Sequence, residues 1–252
     1  MSDLLAFLQH LSATAREVTL GAPVPGAENK AGAGGFDPVT ELDRGAERAL
    51  RGAIEAAFPD DGIEGEEYGL VRPEARRRWL LDPVDGTRAL ICGLPSWTTL
   101  VALLEDDRPR AGFIDAPALG ELMIGMPGQT TLNGAAVRVS GCTALSDARL
   151  SSTDPYLFEG TEAEAFARVR RAARLTRFGY DALAYARLAA GHLDLVIENK
   201  LHRYDWAALV PVVRGAGGVI GDWKGGDDFG SGSIVAAASQ ELYDAAVQLL
   251  SQ

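Results

Sequence analysis

Cysteine and histidine are scarce in this 252-residue chain. Its two cysteines, Cys92 and Cys142, form no Cys-x-x-Cys pair and are too few for a disulfide framework. That suits a reducing compartment, and a cytoplasmic location is expected. The three histidines, His10, His192 and His202, have no metal-ligand spacing. No Gly-x-Ser-x-Gly nucleophile elbow occurs. Apolar runs fall short of the roughly 20 residues that a membrane span needs. The opening Met-Ser-Asp-Leu-Leu has no basic stretch leading into an apolar one, so no signal peptide is expected. Positive charge is also in deficit. Lys and Arg number 24 against 35 Asp and Glu, a formal net charge of −11. Partnership with nucleic acid or anionic membrane is disfavoured.

The 47% hydrophobic and 23% charged residues are ordinary for a globular protein. A first helix is expected from Ser2, with Leu4, Leu5, Leu8 and Leu11 on one face. Residues 21–35, rich in Gly, Ala and Pro, read as a loop. A second helix spans about Thr40 to Phe58, ended by Pro59. Trp79-Leu80-Leu81 and Trp97 to Leu104 are apolar strand candidates. Ala111–Ile114 with Glu121–Ile124 suggests a hairpin, and Asn133-Gly134 marks another. Further on, helices are expected over Thr161–Leu175, Asp181–Ala190 (ended by Gly191) and Asp205–Arg214. Strands are expected over Leu193–Ile197 and Ile234–Ala238, and Ser239 caps a last helix. Antiparallel signals come first and β-α alternation later. Two subdomains are therefore expected, residues 1–140 and 141–252, meeting near 135–150.

The segment Trp79-Leu80-Leu81-Asp82-Pro83-Val84-Asp85-Gly86-Thr87 carries the clearest chemistry. A buried strand delivers Asp82 to its end, and Pro83 keeps Asp82 extended while the chain turns. Asp85 can then converge with Asp82 on a hard cation, with the Val84 carbonyl as a third oxygen. Gly86 lets backbone approach a ligand. Gly86 and Thr87 open a short helix whose N–H groups suit phosphate. The competing interpretation is a surface Asp-Pro-x-Asp-Gly turn, opposed by the apolar strand before it. Glu66 and Glu67 could be solvated loop charges, and Asp205 a plain N-cap. Thr40-x-x-Asp43 has the spacing of a capping box. His192 and His202 read as structural.

The ordered set Asp37-Pro38-Val39-Thr40-x-x-Asp43, Gly65-Glu66-Glu67, Asp82-Pro83-Val84-Asp85-Gly86-Thr87, Asp205-Trp206-Ala207-Ala208 and Gly215-Ala216-Gly217-Gly218 resembles the inositol monophosphatase superfamily. The resemblance implies an α/β (α+β) sugar-phosphatase-like fold with layers α/β/α/β/α and two subdomains. It also implies hydrolysis of a small phosphate monoester by metal-activated water, with no covalent intermediate, in a homodimer. By the same resemblance, Glu66, Asp82, Asp85, Asp205 and the Val84 carbonyl bind two or three Mg2+. Thr87 positions the attacking water, Asp43 poises Thr87, and Glu67 supports the site. The loop holding Lys30 matches a mobile metal-site loop as a region only.

Within the superfamily, Gly86 to Trp97, Asp115-Ala116-Pro117, Ser152 to Phe158 and Gly179 to Glu198 most resemble the histidinol-phosphate phosphatases. That branch implies conversion of L-histidinol phosphate to L-histidinol and phosphate in histidine biosynthesis. Its substrate pocket would be lined by Gly86, Thr87, Arg88, Asp181, Arg187 and Glu198. Asp181 could equally cap a helix, and Arg187 could be a solvated charge. Leu90, Arg214 and the short glycine-rich loop from Lys224 to Gly232 depart from the pattern. Alternatives are inositol-1-phosphate, a broad range of sugar phosphates, or a regulatory protein of the same fold.

Overall fold

In the computed structural model, side chains along one strand, β5 (Arg77–Asp85), alternate between two apolar layers. Trp79 and Leu81 face one, Leu80 the other. The structure describes residues 2–21, 28–29 and 38–252. Lys30, Asp37 and most of the loop expected at 21–35 lie outside the described residues.

The strands before β5 are β1 (Glu28–Asn29), β2 (Pro38–Val39), β3 (Gly62–Gly65) and β4 (Gly69–Val71). After it come β6 (Thr98–Glu105), β7 (Arg108–Ala116), β8 (Glu121–Met126), β9 (Gln129–Leu132) and β10 (Ala135–Val137). The last five are β11 (Arg149–Ser152), β12 (Leu175–Phe178), β13 (Leu195–Glu198), β14 (Val219–Asp222) and β15 (Ile234–Ala237). β3 to β10 form an eight-stranded sheet ordered β10-β9-β8-β7-β6-β5-β3-β4, antiparallel except where β3 meets β5. β11 to β15 form a five-stranded sheet ordered β12-β11-β13-β15-β14. The hairpin at Asn133-Gly134 has both residues at positive φ, as a two-residue hairpin turn requires.

Helices α1 (Ser2–Thr19) and α2 (Glu41–Ala57) cover the outer face of the first sheet through Leu8, Leu11, Leu50, Ile54, Trp79 and Phe113. Its inner face shares a core with α5 (Leu183–Ala189), α7 (Leu209–Gly215) and the inner face of the second sheet. Helices α4 (Gly160–Ala172) and α8 (Gln240–Leu250) close the far side through Phe166, Val169, Leu242 and Ala246. The layers are thus α/β/α/β/α, with α3 (Thr87–Ile91) and α6 (Arg203–Trp206) flanking the junction of the two sheets. No described helix is long and apolar enough to cross a membrane.

Three expected helices end differently. The one expected to reach Leu175 stops at Ala172, and Leu175–Phe178 pairs in parallel with β11 instead. The one expected from Asp181 begins at Leu183, because Asp181 is left-handed with φ 46. The stretch expected as one helix from Asp205 is two, α6 and α7. Pro211 has no N–H to offer the carbonyl of Ala207, so the ladder breaks there. At the end of α5, the N–H groups of Gly191 and His192 reach back to Leu188 and Arg187, a Schellman ending with Gly191 at φ 78.

Candidate active site

β5 ends in an irregular pairing with β6, where the register shifts between Asp82 and Asp85. Pro83 sits in that irregularity, where no ladder N–H is needed, and its carbonyl accepts from Thr99 Oγ1 at 2.8 Å. Asp82 turns Oδ1 onto the N–H of Val84 at 3.1 Å. Asp85 Oδ2 accepts from Thr98 Oγ1 at 3.1 Å and from the N–H of Ala182 at 2.8 Å. The second bond ties the first sheet to the start of α5. Gly86 follows at φ 80, and a Cβ there would meet Asp181 Oδ2 at 3.1 Å. Glycine therefore serves both the backbone turn and the close approach of Asp181.

Thr87 opens α3, with its hydroxyl 3.0 Å from the Val84 carbonyl and 3.3 Å from Asp43 Oδ1. Asp43 completes the capping box of α2, where its Oδ2 accepts from Thr40 N at 2.9 Å and Thr40 Oγ1 at 2.5 Å. One carboxylate thus spans a helix start and Thr87. Glu66 sits just past β3, its N–H on the Leu81 carbonyl at 3.2 Å. The turn it heads is held by Glu47, which is fully buried on α2. Glu47 accepts from Glu67 N at 2.7 Å, Tyr68 N at 3.1 Å and Arg51 Nε at 2.7 Å. Any side chain at Gly65 would collide with that carboxylate.

From the second half, Asp205 projects from α6 and accepts from the N–H of His202 at 2.7 Å. Glu66, Asp82, Val84, Asp85, Gly86, Thr87, Asp181 and Asp205 line one cavity of about 330 Å³, with Arg88 and His202 exposed at its rim. A second cavity of about 140 Å³ shares Asp85, Asp181 and Asp205 and extends to Tyr185 and Glu198. Asp82 is pushed well above the usual carboxylate range, first by burial and then by Glu66, Asp85, Asp205 and Asp43. Burial and the charge of Asp181 push Asp85 up to about 7. Among the described residues, no three Asp, Glu, His or Cys groups are already gathered as a ready-made metal cage. The donors nevertheless suit a hard cation, since all are oxygens and the excess is negative charge withdrawn from water.

The chain matches the inositol monophosphatase family over residues 2–252. The chain belongs to that family. It is 42% identical over 227 residues to the chloroplastic bifunctional phosphatase IMPL2 of Arabidopsis thaliana, covering 85% of this chain and 66% of that protein. It is 34% identical over 207 residues to a histidinol-phosphatase of Chlorobaculum parvum, covering 81% and 80% of the two chains. A solved inositol monophosphatase from Zymomonas mobilis superposes with a TM-score of 0.88 at 39% identity, over 100% of this chain and 98% of that one.

Other positions in this phosphatase fall further out. Arg187 lines neither cavity; its Nη1 pairs with Glu121 Oε2 at 2.6 Å. Glu67 and Asp43 support the walls and do not line them. Glu198 is 2% exposed, and its Oε1 accepts from Thr153 N at 2.7 Å and Thr153 Oγ1 at 3.1 Å. Two of the departures from the family pattern meet each other: Arg214 Nη2 binds Asp227 of the glycine-rich loop at 2.7 Å. Neither residue lines either cavity. Sequence reasoning missed Glu47, Thr98, Thr153 and Tyr185. For Glu47 a signal existed: a carboxylate beyond the capping box, beside the buried stripe Leu42, Ala46, Leu50, Ile54 of α2.

Proposed function

We propose that this phosphatase hydrolyses histidinol phosphate, with Mg2+ held by Glu66, Asp82, Asp85, Asp205 and the Val84 carbonyl. The observation that carries the substrate is a pair of orphaned oxygens. Among the described residues, Glu198 Oε2 and the Tyr185 hydroxyl are buried and find no hydrogen-bond partner, and both residues line one cavity. Unpaired buried polar atoms are costly: Glu198 Oε2 calls for a donor from the occupant, and the Tyr185 hydroxyl can donate or accept. With Asp85, Asp181 and Asp205 in the same walls, a donor that is also a cation fits best. Histidinol carries an ammonium and an imidazole. The likeness to histidinol-phosphatases supports the same substrate.

Bound Mg2+, as two or three ions, would neutralise the phosphate oxygens and lower the pKa of water. The chain's own groups supply the rest. Thr87 offers its hydroxyl to orient water, and Asp43 fixes that hydroxyl's direction. Gly86 and Arg88 receive the phosphate at the start of α3. Glu47 holds the Glu66–Glu67 turn in place. Asp181 and Glu198 take the cationic end of the alcohol. Histidine biosynthesis in the cytoplasm, by a homodimer, is the setting this assignment implies.

A second substrate, inositol-1-phosphate, is favoured by the full-length likeness to the Zymomonas enzyme. The test is kcat/KM for both compounds side by side with Mg2+. Two charged hydrogen bonds at about 1.5–3 kcal/mol each predict a preference for histidinol phosphate of roughly a few hundred-fold or more. Equal values, or the reverse order, would sink the histidinol assignment.

A further inference from the structure

Outside the lining of both cavities, four charged side chains close into a ring. Asp107 lies at the β6–β7 turn, left-handed with φ 62. Its Oδ1 accepts from Arg203 Nη2 at 2.6 Å and stands 3.3 Å from Arg78 Nη1. Glu64 Oε2 stands 3.5 Å from Arg203 Nη1 and 3.8 Å from Arg78 Nη1. Each carboxylate therefore faces both guanidinium groups.

Three corners of the ring lead directly into the site. Glu64 is on β3, two residues before Glu66. Arg78 is on β5, four residues before Asp82. Arg203 is the first residue of α6, two before Asp205. β3 and β5 are parallel neighbours, with Gly65 opposite Leu81, so backbone hydrogen bonds already fix Glu66 relative to Asp82. The four-residue α6 has no such ladder to the first sheet. Its placement against β3 and β5 must come from side chains, and Arg203 reaches both Glu64 and the turn that follows β6.

We propose that Arg203, through Asp107 and Glu64, is a positioning residue that sets Asp205 against Glu66 and Asp82 and so tunes affinity for Mg2+. This rests on the metal assignment made above. The Asp107 and Arg203 side chains are 68% and 30% exposed, so the pair they form contributes little to global stability, while Glu64 and Arg78 are more deeply set at 23% and 12%. Mg2+ demands close to ideal octahedral geometry, so a small displacement of one carboxylate is felt in binding.

The experiment is calorimetric titration of Mg2+ into the metal-free full-length chain, with melting curves recorded with and without Mg2+. Asp107→Asn removes the charge while Asn tolerates the left-handed turn. Arg203→Gln removes the other side. Each variant is expected to weaken Mg2+ binding about 5- to 10-fold, roughly 1–1.4 kcal/mol. Metal-free melting temperatures should fall by less than about 3 °C, and the Mg2+-induced rise in melting temperature should shrink. The double variant should be no worse than either single one, and Arg203→Lys should recover part of the loss. Unchanged Mg2+ affinity, with melting lowered equally in both conditions, would overturn the proposal. A wild-type chain that takes up no Mg2+ would overturn the metal assignment itself, and this inference with it.

Discussion

Asp82 and Asp194 are equally withdrawn from water, at 2% and 1% exposure, yet they sit in opposite electrostatic settings. Burial alone would raise Asp194. Arg149 answers with Nε at 2.7 Å, Nη2 at 2.7 Å and its backbone N–H at 2.8 Å, and Ser140 adds its hydroxyl at 2.5 Å. The Asp194 carboxyl ends below its ordinary range. Asp222 is handled in the same way by the N–H groups of Gly226, Lys224 and Asp228. Asp82 has burial on top of four neighbouring carboxylates and ends well above its range. A carboxylate that serves the fold brings its own donors. One that faces the cavity is left in deficit, and the deficit is what a cation would fill.

The sharpest way to break this contrast is Asp85→Asn. Mg2+-dependent turnover should fall at least ~100-fold, while metal-free stability near pH 7.5 holds or rises. Turnover within a few-fold of wild type would take Asp85 out of the metal site. Next is Thr87→Ala, expected to cut kcat by up to about 100-fold with KM nearly constant. A raised KM with normal kcat would reassign Thr87 to phosphate binding. Asp194→Asn should do the reverse of Asp85→Asn, costing about 2 kcal/mol of stability without loss of kcat at 25 °C. That figure is below the roughly 3–5 kcal/mol of a fully buried pair because the Arg149 side chain is 36% exposed. A loss of turnover with unchanged melting would contradict it.

The smallest expected effect is in pH dependence. Asp85 is raised to about 7 and Asp181 to about 6, burial being the main cause in both. Between about pH 4 and these values the metal-free folded chain holds protons that the unfolded chain has released. The stability they contribute is present at low pH and lost as pH rises through 6 to 7. Asp194 and Asp222 run the other way, losing their contribution as pH falls through their depressed values. The gap in metal-free melting temperature between Asp85→Asn and wild type should therefore widen from about pH 5 to 7.5. A constant gap would show that Asp85 is not titrating there.

Much of the layering was legible because it rests on local pattern. The 79–81 run, the Asn133-Gly134 turn and the Ser239 cap each determine their own structure. β11, β12 and β14 were missed because strands of four residues owe their state to neighbours distant in sequence. At the site, local spacing brought out Asp82, Asp85 and Thr87, and the family resemblance added Glu66 and Asp205; all five line one cavity. It could not show that Asp181 would be left-handed against Gly86, since only the tertiary contact forces that. Nor could it place Arg187, whose partner Glu121 lies 66 residues away in the first sheet. Tyr185 was hidden because Glu198 meets it only after folding, and the burial signal at Glu47 did not say that the Glu67 turn would be its partner.

The stacking of Trp206 on Phe229, with ring centroids 5.0 Å apart, gives the molecule an optical property. Indole emission moves to the blue in apolar surroundings, and Trp79, Trp97 and Trp206 are 0%, 4% and 9% exposed. Native emission should accordingly be blue and shift red on unfolding. Trp206 follows Asp205 on α6, so a shift of that helix with its carboxylate carries the ring against Phe229. With Trp79, Trp97 and Trp223 replaced by Phe, Trp206 is the remaining indole, and intrinsic fluorescence should follow Mg2+ uptake without an added dye. A flat emission trace across a titration that calorimetry shows to be saturating would mean that Asp205 does not move when the metal arrives.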